Sequence, residues 1–200
     1  MSDFDARYAE PELAYGDQPN EFLASVAALI PDGPVLCLAE GQGRNAVFLA
    51  GRGHAVTAVD RSAVGLARAS ALAAERRVAI TTQVADLAEL AIEPGAWAGI
   101  VSIFGHLPQP LRSRVHRAAA RGLRPGGVFV LEAYRPAQLT FGTGGPRDVA
   151  MLPTLDELQA DLEGLELEIG REIERDVIEG RFHTGRAAVV QIVARRGRSG

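Results

Sequence analysis

Lysine is absent from these 200 residues; all 21 basic residues are arginine, which removes any Ser-Tyr-Lys constellation from consideration. A single cysteine, Cys37, leaves no intramolecular disulfide to form. Four scattered histidines beside it give no metal-ligand spacing, and no Ser-His-Asp or Cys-His set stands in a recognisable context. No apolar run approaches the roughly 20 residues of a membrane span. The first residues, Met1-Ser2-Asp3-Phe4-Asp5, carry neither the basic flank nor the apolar stretch of a signal peptide. A net charge of −4 gives no support to nucleic-acid or anionic-membrane partners. With the lone cysteine inside an apolar run, a reducing, cytoplasmic setting is expected.

What is present is ordinary globular composition, 47% hydrophobic and 23% charged, enough for one well-filled core. There is no repeat and no low-complexity block. The organising stretch is Val35-Leu36-Cys37-Leu38-Ala39-Glu40-Gly41-Gln42-Gly43-Arg44-Asn45-Ala46. Its apolar start, bounded by Pro34 and Gly41, has the length of a buried strand rather than a helix. Two glycines one residue apart follow, and Asn45 to Arg52 can form a helix stopped by Gly53. Glycine permits a sharp turn and close approach of a ligand to the backbone, while a helix start presents unpaired N–H groups. The next strand, Ala55 to Val59, ends in Asp60, a carboxylate placed to accept from both hydroxyls of a ribose. Together these features point to an adenosine cofactor.

Around that unit the chain divides into an N-terminal covering arm (1–19), a single domain (20–195) and a short tail (196–200). The Arg195-Arg196-Gly197-Arg198 cluster is expected to be solvated. Asn20 opens an amphipathic helix carrying Phe22, Leu23, Val26 and Ile30. Ser62 is placed to cap an alanine-rich helix running to about Arg77. Strands are predicted at 78–84, 97–104 and 128–132, with a helix opened by Pro110 between the last two. Leu123 to Gly127 is expected to be a turn. Strand alternating with helix indicates a parallel, doubly wound α/β sheet. The loop 134–153 is long enough to be functional. Thr154-Leu155-Asp156-Glu157 is a capping box. Residues 167–177 and 187–194 are expected to close the sheet as an antiparallel hairpin. The result is a Rossmann-like sheet of seven strands, five of them parallel.

The glycine turn, Asp60, Asp86-Leu87, Leu123-Arg124-Pro125-Gly126-Gly127 and the terminal hairpin resemble the class I S-adenosylmethionine-dependent methyltransferases. Gly43-Arg44-Asn45, Gly53-His54-Ala55-Val56-Thr57 and Tyr15-Gly16 make the chain similar to their small tellurite-resistance and thiopurine-type branch. The resemblance implies methyl transfer from S-adenosylmethionine to a small-molecule nucleophile, with a thiol or chalcogen oxyanion favoured. It implies that Gly41 and Gly43 lie under the cofactor's methionine and ribose, with Asn45 at the start of the helix behind them. Asp60 would hold the ribose, Arg61 and Ser62 would flank the adenine, Asp86 would take the adenine amino group, and Leu87 and Ile103 would close the sides. Where the family has an acidic residue this chain has Cys37, and where it has a small pair it has Ala39-Glu40; Glu40 is therefore expected to replace the contact to the cofactor's ammonium.

On the acceptor side, Phe104, His106, Tyr134 and Arg135 should face the crevice at the strand ends. His106 is a candidate general base, Tyr8 and Tyr15 could fold over from the arm, and His183 with Arg186 could meet an anion from the hairpin. His54 and His116 look like surface positions. Two other readings fit parts of the pattern. Gly41-x-Gly43-x-x-Ala46 with Asp60 also matches a dinucleotide fingerprint, as in an NAD-dependent oxidoreductase. The altered turn could alternatively belong to a cofactor-binding protein without turnover. The long loop and covering arm favour an enclosed reaction chamber instead.

Overall fold

A computed structural model describes residues 3–10, 12–181 and 183–198. The parts of the expected arm at 1–2 and 11, and of the expected tail at 199–200, lie outside the described residues. Seven strands form one sheet in the order β3-β2-β1-β4-β5-β7-β6. Strands β1 (Pro34–Leu38), β2 (Ala55–Asp60), β3 (Ile80–Val84), β4 (Trp97–Ile103) and β5 (Leu123–Tyr134) are parallel, while β6 (Leu165–Glu179) and β7 (His183–Arg196) add the antiparallel edge. The strand order reverses between β2 and β4, on either side of β1, and that switch point leaves a crevice at the strands' carboxyl ends.

Each face of the sheet is covered by helices that follow from the sequence pattern. On one side α2 (Glu21–Val26), α3 (Arg44–Gly51) and α4 (Ala63–Glu75) pack Leu23, Leu49 and Leu66 against Val35, Cys37 and Val101. On the other, α5 (Gln109–Gly122) and α6 (Leu155–Asp161) pack Val115, Ala119 and Leu158 against Leu36, Ile100 and Phe129. A fully buried Leu, Ile or Phe in such layers contributes roughly 1.5–3 kcal/mol. The expected caps are present: Asn20 accepts from Leu23 N–H, Ser62 from Gly65 N–H, and Thr154 and Glu157 form the reciprocal box.

Several boundaries differ from the sequence expectation. Phe104 stands outside β4 because its φ of +53° breaks the extended backbone. The Leu123–Gly127 turn is absorbed into β5 as an irregularity: Trp97 pairs with Leu123 and Gly99 with Val128, so 124–127 bulge from the ladder. Strand β6 is one continuous strand of 15 residues, bulged between Leu167 and Ile169. Strand β7 runs on through Arg195 and Arg196 rather than ending in a solvated tail. Arg195 pairs with Glu168 and donates to Gly126 O at 2.9 Å, and Arg196 donates to Arg121 O at 2.9 Å. Helix α1 (Asp3–Tyr8) packs against α4, and Tyr8 and Ala14 reach the turn after β1.

Candidate active site

The glycine turn starts where β1 ends. Ala39, Gly41 and Gly43 all have positive φ (51°, 60° and 88°), which swings the chain sharply from strand to helix. Gly43 is irreplaceable sterically, since a Cβ there would stand 2.4 Å from the Cβ of Ala69 in α4. Asp60 locks the turn from β2: one oxygen accepts Gly41 N–H and the other Ser62 N–H, each at 2.8 Å. Burial raises the Asp60 pKa, and these amide bonds oppose that rise.

Glu40 turns inward rather than toward the crevice mouth. Its Oε1 accepts Asn45 N–H at 3.0 Å and Ala46 N–H at 2.8 Å, so it caps α3. Burial pushes its pKa up to about 7 against the pull of those amides and of Arg44. Asn45 is also occupied, its Oδ1 accepting Asn20 N–H at 2.9 Å. Ser62 is buried, and its hydroxyl donates to Asp5 while accepting from Gly65 N–H. Arg61 is exposed with its guanidinium 5.5 Å from the Phe4 ring centroid. Past β3, Asp86 is exposed and accepts Ala88 N–H, while Leu87 is half-buried against the α5 side of the core. Ile103 is buried at the end of β4.

Across the crevice the aromatic candidates converge. Around the His183 ring stand Tyr15 at 4.5 Å, Phe104 at 4.6 Å and Tyr134 at 5.3 Å between centroids. His106 stacks on Tyr134 at 5.5 Å and 8°. Both imidazoles are neutral: desolvation lowers His106 to about 4, and lowers His183 to about 3 with help from nearby cations, Arg44 foremost. The general-base expectation for His106 meets a geometric obstacle, because its Nε2 already accepts Tyr134 N–H at 3.0 Å. Arg186 does not join His183. Three residues apart on one strand, the two side chains point to opposite faces, and Arg186 is half-exposed beside Glu174 at 3.4 Å and Asp176 at 3.9 Å.

Comparison with known proteins places the fold and the first motif among known relatives. A family model described as a methyltransferase domain matches residues 35–127, from β1 through the start of β5. A 2-heptyl-1-hydroxyquinolin-4(1H)-one methyltransferase of Mycobacteroides abscessus is 27% identical over 153 residues, 75% of this chain and 67% of that protein. A structure solved in a study of the conversion of a disulfide bond into a thioacetal group during echinomycin biosynthesis superposes with a TM-score of 0.77, at 21% identity over 98% of this chain and 92% of that one. TehB from Haemophilus influenzae superposes with a TM-score of 0.72, at 19% identity over 96% of this chain and 65% of that one. Residues 35–127 are thus similar to a methyltransferase domain, and the chain has the fold of S-adenosylmethionine-dependent methyltransferases.

The crevice is also backed by buried polar residues that sequence reasoning missed. Glu132, fully buried on β5, accepts from Asn20, Gln191 and both Nε and Nη2 of Arg175. Glu179, at the tip of the hairpin, accepts from Asn20, Arg175 and Arg44. Two carboxylates facing two guanidiniums thus tie the hairpin to the residue that follows the glycine turn. Their separation in the chain left no local signal. His116 is a correction of another kind. It is 2% exposed, 3.5 Å from Asp161, which also accepts from Arg112 and Ser113 and so pins α6 to α5. Only Gln42, lying between the two glycines, could have been singled out from the motif itself.

Proposed function

We propose that this protein is an S-adenosylmethionine-dependent methyltransferase that methylates a small, soft or aromatic nucleophile, such as a thiol, a reduced chalcogen or a ring hydroxyl, held at the aromatic cluster beside the glycine turn. The observation that carries this reading is the aromatic cluster itself: Tyr15, Phe104 and Tyr134 pack around the His183 ring, which burial keeps neutral. Arg186, the cation expected to meet an oxyanion from the hairpin, is engaged at the surface instead. The curated relative named for a hydroxyquinolinone points the same way.

In this reading Gly41 and Gly43 lie under the cofactor's amino acid and ribose, and Asp60, with lone pairs left after its two amide bonds, holds the ribose hydroxyls. Arg61, Ser62, Asp86, Leu87 and Ile103 surround the adenine. Glu40 acts through α3, by fixing the helix start, rather than through the ammonium. When bound, S-adenosylmethionine supplies a methyl group already activated on a sulfonium. The protein's own work is then to hold the acceptor in line and to exclude water. An acceptor ionised near neutral pH needs no base, which suits a cluster whose imidazoles are weak ones. The lone buried thiol and the net charge fit a small-molecule reaction in the cytoplasm.

The test is release of S-adenosylhomocysteine with 2-mercaptopyridine, 1-hydroxyquinolin-4-one, selenite and tellurite offered in turn. Turnover of the ring thiol or ring hydroxyl, with the oxyanions at the blank rate, is expected. Turnover confined to the oxyanions overturns the proposal.

A further inference from the structure

Within the glycine turn nearly every polar group is matched. Glu40 N–H donates to Val59 O, Gly41 N–H to Asp60 and Gly43 N–H to Glu40 O, and the Glu40 carboxylate caps α3. Gln42 is the exception. It is 4% exposed, its Oε1 accepts Ala14 N–H at 2.8 Å, and its Nε2 is buried with no partner among the described residues. The orientation of the amide is settled by chemistry, because Ala14 N–H requires an acceptor. What remains is a buried donor at the seam between turn and arm, and buried donors are rarely left unmatched.

The arm closes that seam with several other contacts. The Tyr8 ring packs against Gly41 and Gly65, where an added Cβ would come within 2.7 Å of its hydroxyl and 2.9 Å of its Cδ2. Ser62 Oγ donates to Asp5, and Arg68 donates to the carbonyls of Tyr8 and Glu10. Gln42 therefore has one end on the arm and one end unsatisfied next to the turn.

We propose that Gln42 is a cofactor-binding residue with two tasks: Oε1 holds the arm, and Nε2 donates to the carboxylate of the cofactor's amino-acid tail. The assignment rests on the cofactor placement proposed above. Elimination selects the carboxylate. An ammonium offers only donors and a sulfonium has no useful acceptor. The ribose hydroxyls are assigned to Asp60, and the adenine lies beyond Asp60 toward β3. The one remaining acceptor group near the two glycines is the carboxylate.

The experiment is calorimetry at pH 8 with S-adenosylhomocysteine and with 5′-methylthioadenosine, which shares the adenosine and sulfur but has no amino-acid tail. Gln42→Glu keeps an acceptor for Ala14 N–H and replaces the donor with a negative oxygen. It is expected to weaken S-adenosylhomocysteine about tenfold or more while changing 5′-methylthioadenosine less than about twofold. Gln42→Met removes both ends: the same ligand preference should shrink about threefold or more, and the Ala14 amide should exchange faster. The methionine variant supplies the comparison on its own if the glutamate variant does not fold. An unchanged preference between the two ligands, or an equal loss of both, overturns the assignment. If the wild-type protein binds neither, the cofactor placement fails and this assignment falls with it.

Discussion

Around the glycine turn, Asp60 reaches Gly41 across 19 positions of chain and Glu40 reaches Ala46 across six. On the opposite side of the crevice, Asn20 reaches Glu132 across 112 positions, Arg44 reaches Glu179 across 135, and Asn20 reaches Glu179 across 159. The turn is built largely from backbone amides that a nearby carboxylate satisfies as soon as β1, β2 and α3 are formed. The acceptor side draws its partners from the starts of α2 and α3, from β5 and from both strands of the hairpin. A local wall tolerates change elsewhere in the molecule. A wall assembled from five elements fails together.

The largest effect expected is therefore from Glu132→Gln, which leaves a buried arginine short of charge. A cost of about 3–5 kcal/mol is expected in urea denaturation. Amide exchange should accelerate through β6 and β7 before it does in β1 and β2. Equal acceleration in all four strands would erase the contrast between the walls. Next comes Asp161→Asn, which loosens α6 from α5 away from both walls. Its Tm should fall by about 6–12 °C while S-adenosylhomocysteine affinity stays within about twofold. The partners of Asp161 hold its pKa at about 2, below the usual carboxylate value. Its contribution is accordingly complete above about pH 4 and lost as pH falls toward about 2. A Tm difference between wild type and variant that persisted unchanged at pH 2 would remove the ion pair from the account. The smallest effect belongs to Arg186→Ala, expected within about 0.5 kcal/mol in stability and without change in kcat/KM. A large loss of kcat/KM there would restore the arginine to the acceptor site.

How much of this was legible follows the same division. The strand, turn and helix of the first motif, the role of Ser62 as a cap and the capping box at Thr154 were visible because their determinants sit within a few residues of one another. The parallel sheet and its antiparallel closure followed from periodicity. The burial of His116 was not visible, because it depends on Asp161 arriving from another helix. His183 and Arg186 looked like a pair until strand geometry placed them on opposite faces, and His106 looked free until the amide of Tyr134 was found on its Nε2. The orientation of Glu40 was misleading for a simpler reason: a carboxylate at a helix start has a nearer partner in the helix amides than in any ligand.

The central placement puts the cofactor's ribose on Asp60, with the glycine turn beneath its amino acid. Calorimetry with S-adenosylhomocysteine on wild type and Asp60→Asn addresses it most directly. The variant keeps an oxygen for one amide but loses the charged acceptor, so an affinity about ten- to a hundredfold weaker is expected on a protein that still melts cooperatively. Equal affinity in the two folded proteins would contradict the placement.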